Sequence, residues 1–89
     1  MSPNFEKSVL LLNCAVKLGI SPDRITRGVD GRCYYWLRLD RRADIEIHAD
    51  GNLVATTLVH GGTPDIWAFQ SDEIQETLDE IKAFLVGEA

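Results

Sequence analysis

Eighty-nine residues support one domain, whose core buries roughly 60–65% of the unfolded surface. A composition of 45% hydrophobic and 26% charged residues is that of a globular chain and excludes disordered and fibrous classes. The net charge of −5 argues against direct nucleic-acid binding, which needs Lys and Arg to displace counterions from phosphates, and it suits a basic protein partner.

The opening, Met1-Ser2-Pro3-Asn4-Phe5-Glu6-Lys7, lacks a basic stretch followed by a plain apolar one, which predicts no export signal and a cytoplasmic location. No run of about 18 apolar residues occurs, so no membrane association is expected. The first element is a helix. Phe5, Val9, Leu12 and Val16 fall on one stripe, which is expected to be the core stripe. Leu11, Ala15 and Leu18 form a second stripe about 120° away, so the helix should touch both the sheet and the last helix. Ser2 or Asn4 suits the cap, Pro3 the first turn, and Gly19 a left-handed C-terminal cap with Pro22 beyond it.

From Arg24 to Phe69 the period changes to two. Turn signals at Asp30-Gly31, Asp40-Arg41-Arg42, Asp50-Gly51-Asn52 and Gly61-Gly62-Thr63-Pro64 separate runs rich in Ile, Val, Thr, Tyr and Trp. Strands are expected near 24–29, 33–39, 43–49, 53–60 and 65–69, as an antiparallel meander of four to five strands. For strand 53–60, either Val54, Thr56 and Leu58 or Leu53, Ala55 and Thr57 join the core, and the sides of Trp67 and Phe69 stay open. Ser71 caps a closing helix with the stripe Ile74, Leu78, Ile81 and Leu85, ended by Gly87. Residues 1–89 thus read as a single two-layer α+β domain: N-terminal helix, meander, C-terminal helix.

The middle hairpin suggests a binding surface. With residues 40–42 as its loop, Leu39 faces Ala43, Leu37 faces Ile45 and Tyr35 faces Ile47 on the core side. Tyr34, Trp36, Arg38, Glu46 and His48 then share the uncovered side, and aromatics with Arg are typical of interface hot spots. A secondary surface is the acidic arc Asp72, Glu73, Glu76, Asp79 and Glu80, which would meet a basic protein, in one version by imitating a row of phosphates.

Catalytic and metal readings find little support. Cys14 and Cys33 have no C-x-x-C spacing and are expected to be reduced thiols. The same register puts Cys33 and His48 on opposite faces, which removes a Cys–His nucleophile pair. His48 and His60 show no zinc spacing, Asp44 and Glu46 sit on an open face, and Gly61-Gly62-Thr63 lacks the Lys and helix of a phosphate loop. No catalytic residue, metal or cofactor is expected.

The stretch Ala43-Asp44-Ile45-Glu46, then Asp50-Gly51, Pro64-Asp65-Ile66-Trp67 and an acidic closing helix resembles small uncharacterised bacterial and phage proteins of helix–β-meander–helix type. The resemblance covers the C-terminal half and implies no catalytic residues. The expected function is a small acidic protein-binding module of the inhibitor, antitoxin or immunity-protein type, including an inhibitor of a host defence system. The alternative is a structural homodimer or assembly subunit through the aromatic face, and a third is a small enzyme using Cys14 or His48.

Overall fold

The computed structural model describes residues 3–87 of the chain. Helix α1 (Pro3–Lys17) leads into strands β1 (Arg24–Gly28), β2 (Gly31–Leu37), β3 (Arg41–His48), β4 (Leu53–Val59) and β5 (Asp65–Phe69). A 3-10 turn (Ser71–Glu73) precedes helix α2 (Ile74–Val86). All strand pairs are antiparallel and their order in the sheet is their order in the chain. Both helices pack against β3 and against each other on one face of this meander, which is the α+β arrangement expected.

On the helix side, cross-strand rows run Ile25–Tyr34–Ile45–Ala55–Trp67, Arg32–Ile47–Leu53–Phe69 and Trp36–Ala43–Thr57. Most of these residues are buried together with Leu11, Ala15 and Ile20 and with Ile74, Leu78, Ile81 and Leu85 of α2. The α2 stripe is therefore the one read from its periodicity, and the left-handed Gly87 ends that helix as expected. Leu53, Ala55 and Thr57 are the β4 residues that join the core, and Trp67 and Phe69 lie on the helix side.

The expected register of the β2–β3 hairpin is overturned. Trp36 pairs with Ala43, Tyr34 with Ile45 and Leu37 with Arg42. The loop is Leu39-Asp40, closed by a 2.9 Å bond from the Arg38 amide to the Arg41 carbonyl, rather than residues 40–42. Shortening the loop inverts the parity of β2 against β3. Trp36 is 0% exposed and Tyr34 1%, whereas Leu37 is 46% exposed. Two large aromatics bury more apolar surface than Leu37 and Leu39 would, and this favours the observed side. The Trp36 indole N–H is also satisfied, donating to the Ile20 carbonyl. The aromatic docking face expected from the sequence therefore does not exist.

Helix α1 corrects a second expectation. Its buried side is Ser8, Leu11 and Ala15, with Leu12, Cys14 and Leu18 partly buried. Phe5, Val9 and Val16 of the expected core stripe are exposed. Arg32 Nη1 donates to Ser8 Oγ, which ties this buried side of the helix to β2. Asn4 does not cap the helix; its Nδ2 donates to the His48 and Ala49 carbonyls, while Lys7 Nζ reaches the Gly51 carbonyl at 2.7 Å. Ser2 lies outside the described residues. Ser71 is not a cap either. Gln70 holds that position, and its amide donates to Glu73 Oε1 at 2.8 Å.

Arg41, expected in a loop, begins β3 instead. Its guanidinium stands 5.2 Å from the Phe84 ring centroid and donates to the Phe84 carbonyl at 2.7 Å. This satisfies a terminal carbonyl of α2 with a cation at the negative end of the helix and ties α2 to the central strand.

Candidate functional site

Because both helices lie on one side, the other side of the sheet has no covering layer among the described residues. Its outward positions form three rows. One runs Thr26–Cys33–Glu46–Val54–Ala68, the next Arg24–Tyr35–Asp44–Thr56–Ile66, and the last Leu37–Arg42–Leu58. His48 continues β3 beyond the first row, opposite Gly31.

These rows divide the face into two parts. Strand β3 carries Arg42, Asp44, Glu46 and His48, so its outward side is wholly charged or titratable. Strands β4 and β5 show Val54, Thr56, Leu58, Ile66 and Ala68, with no charge at any of these positions. An antiparallel sheet with a solvated face ordinarily alternates polar residues outward. Ile66 is 64% exposed, and Leu37 stands at the same end of the face.

The polar part is tightly knit. His48 Nε2 lies 2.9 Å from Glu46 Oε2. Cys33, Asp44 and Glu46 each bring one donor atom within 4.8 Å of the other two. Asp44 is only 6% exposed, and its Oδ1 has no hydrogen-bond partner among the described residues. Burial pushes the Asp44 carboxyl above its ordinary value, and neighbouring Glu46 adds to this, while Arg42 and the Thr56 hydroxyl pull it down. Burial likewise raises the Cys33 thiol, with Asp44 and Glu46 adding and the Tyr35 hydroxyl and Arg42 opposing.

The raised carboxyl group of Asp44 binds its proton more tightly in the folded chain than in the unfolded one. Its contribution to stability is present at acidic pH and is lost as pH rises through the raised value. Asp44→Asn should therefore stabilise the domain at neutral pH, with the gain shrinking on acidification. Urea unfolding of both proteins in chelator-containing buffer at neutral and mildly acidic pH measures this; a variant weaker than the parent at neutral pH contradicts it.

The residues predicted to form a docking site are dispersed. Tyr34 and Trp36 lie beneath the helices. Arg38 sits at the hairpin turn, with Nη1 3.1 Å from Asp23 Oδ2. Glu46 and His48 are on the open face, but beside Cys33 rather than beside the aromatics. Cys33 and His48 share one face, contrary to the expectation that separated them. Both cysteines are free thiols. The acidic positions Asp72, Glu73, Glu76, Asp79 and Glu80 are all exposed, although Asp72 and Glu73 belong to the 3-10 turn rather than to α2.

Sequence reasoning found the outward side of β3 and missed Cys33, Tyr35, Thr56, Leu58 and Ile66. One signal was available: β2 has apolar or aromatic residues on both sides from Cys33 to Leu37, so its alternation carries no information about which side is covered. In comparisons with known proteins, no family model matches the chain, and neither a curated protein nor a solved structure matches it. No helix among the described residues is long and apolar enough to cross a membrane.

Proposed function

We propose that this domain is a protein-binding module that docks its partner on the helix-free face of the sheet. The observation that carries this reading is the uncharged β4–β5 half of that face, Val54, Thr56, Leu58, Ile66 and Ala68, bordered by the charged row of β3. Apolar surface flanked by charges is the anatomy of a binding patch, with the apolar part contributing affinity and the charged rim selecting the partner. Glu46 on the rim, together with the net charge of −5, favours a partner with a basic surface. A small acidic module that occupies such a partner would act as an inhibitor, antitoxin or immunity protein. The exposed acids of α2 form a second, weaker contact surface in this reading.

A homodimer through the same face is the second reading. Arg42 lies two residues from Asp44 on one strand, so two copies packed face to face could exchange Arg–carboxylate pairs around the apolar half. Light scattering on the purified chain separates the readings, since the second requires a dimer.

The test is a Leu58→Asp/Ile66→Asp double variant compared with a Glu76→Lys/Asp79→Lys variant. Both should keep the circular-dichroism spectrum and melting transition of a folded domain, because all four positions lie outside the buried core. The first should lose capture of a partner from native lysate, or dimerisation, by at least about a hundredfold in affinity; the second should lose no more than about tenfold. A wild-type chain that is monomeric at every concentration and captures nothing would end the reading. Capture unaffected by the sheet-face variant would move the site elsewhere.

A further inference from the structure

We propose that Cys33, Asp44 and Glu46, with His48 as the fourth donor, form a binding site for a divalent cation of the zinc class. The proposal is independent of the docking reading and rests on a different observation. Strand pairing sets Cys33 directly opposite Glu46, and Asp44 precedes Glu46 by two residues on the same face. Three donor atoms from these residues already lie within 4.8 Å of one another.

Convergence of acids and a thiol is not in itself a site. The second observation is Asp44, a carboxylate 6% exposed within this cluster, with Oδ1 bonded to nothing among the described residues. A buried carboxylate oxygen without a partner is costly. A bound cation would supply the missing partner and reverse the sign of the local field, turning the crowding of Asp44 against Glu46 into an attraction shared by both.

The donor chemistry selects the cation. One thiolate, two carboxylates and an adjacent imidazole suit zinc, which takes sulfur, nitrogen and oxygen in a tetrahedron. Calcium requires more oxygen ligands than this face offers, and magnesium, a hard cation that takes oxygen, would leave the thiol unused. With bonds of roughly 2.0–2.3 Å, neighbouring donors of a tetrahedral zinc site stand roughly 3.3–3.8 Å apart. Side-chain rotation of about 1 Å closes the cluster to that size while the paired strands stay in place. His48 Nε2, 2.9 Å from Glu46 Oε2, is next along β3. On binding, the Cys33 thiol gives its proton to solvent and a metal–sulfur bond replaces the S–H bond. The Tyr35 hydroxyl, which pulls the Cys33 thiol down, is placed to steady the thiolate.

Cobalt(II) titration of the full chain, after chelator treatment and under reducing conditions, tests this directly. A thiolate-to-cobalt charge-transfer band should grow to saturation at one equivalent and be bleached by zinc. Cys33→Ser should abolish the band and Cys14→Ser should keep it. Glu46→Gln, a change at a half-buried position outside the core, and Asp44→Asn should each weaken cobalt binding by at least about tenfold. Absence of the band at excess cobalt overturns the proposal. So does a band that survives Cys33→Ser, or wild-type affinity in both carboxylate variants.

Discussion

Replacing Trp36 with alanine should destabilise the domain by about 3–5 kcal/mol, enough to leave much of the population unfolded at physiological temperature. The side chain is fully enclosed, it lies in the row Trp36–Ala43–Thr57, and its indole N–H bonds to the Ile20 carbonyl. Truncation leaves a cavity in a core built from one sheet face and two helices, and it orphans that carbonyl. Leu37→Ala, one residue along the same strand, should cost less than about 1 kcal/mol, because Leu37 is 46% exposed. Urea denaturation of the two variants side by side measures the difference. Equal losses, or a larger loss for Leu37, would mean that β2 presents its other face to the helices.

The second large effect is expected at Gly31, where β2 begins. Gly31 has φ +136°, and a Cβ placed there would stand 2.1 Å from the Ile47 carbonyl oxygen and 2.9 Å from the His48 Cα. Both neighbours are backbone atoms of β3, held by the strand pairing, so they cannot rotate away. Gly31→Ala should therefore cost about 2–4 kcal/mol, from strained backbone and displacement of the β2–β3 pairing together. Gly28 is its pairing partner in β1, with nothing within 4 Å of the equivalent Cβ and no positive φ. Gly28→Ala should be neutral or stabilise by up to about 1 kcal/mol through the unfolded chain. Thermal melts of the pair check this; a tolerated alanine at 31 would show that the hairpin can rearrange around it.

These two positions also separate what could be read early from what could not. Turn signals near Gly31, at Asp50-Gly51 and at Gly61-Gly62 mark the strand boundaries because glycine supplies backbone conformations that other residues resist. Strand β3 shows its parity plainly, since Ala43, Ile45 and Ile47 alternate with Asp44, Glu46 and His48. Helix α2 does the same, with an apolar stripe opposite acids. In each case one side is polar enough to forbid the alternative.

Helix α1 and strand β2 lack that contrast. Both carry apolar residues on two sides: the periodicity of β2 points the wrong side inward, and of the two α1 stripes expected to be covered only Leu11, Ala15 and Leu18 is. Misplacing β2 had the larger consequence, because it moved Tyr34 and Trp36 to the surface and separated Cys33 from His48.

The amino-acid order alone determined the kinds of element, their succession, the turns and the inward residues of β3 and α2, because those follow from local conformational preference and one-sided hydrophobicity. Which side of β2 and α1 is covered was decided only in the assembled domain. There a two-residue hairpin loop and the space beneath the helices favour burying two large aromatics over two leucines. That choice is cooperative, summed over contacts between residues distant in the chain, and no local pattern contains it. The same choice brings Cys33, Asp44 and Glu46 together on the open face.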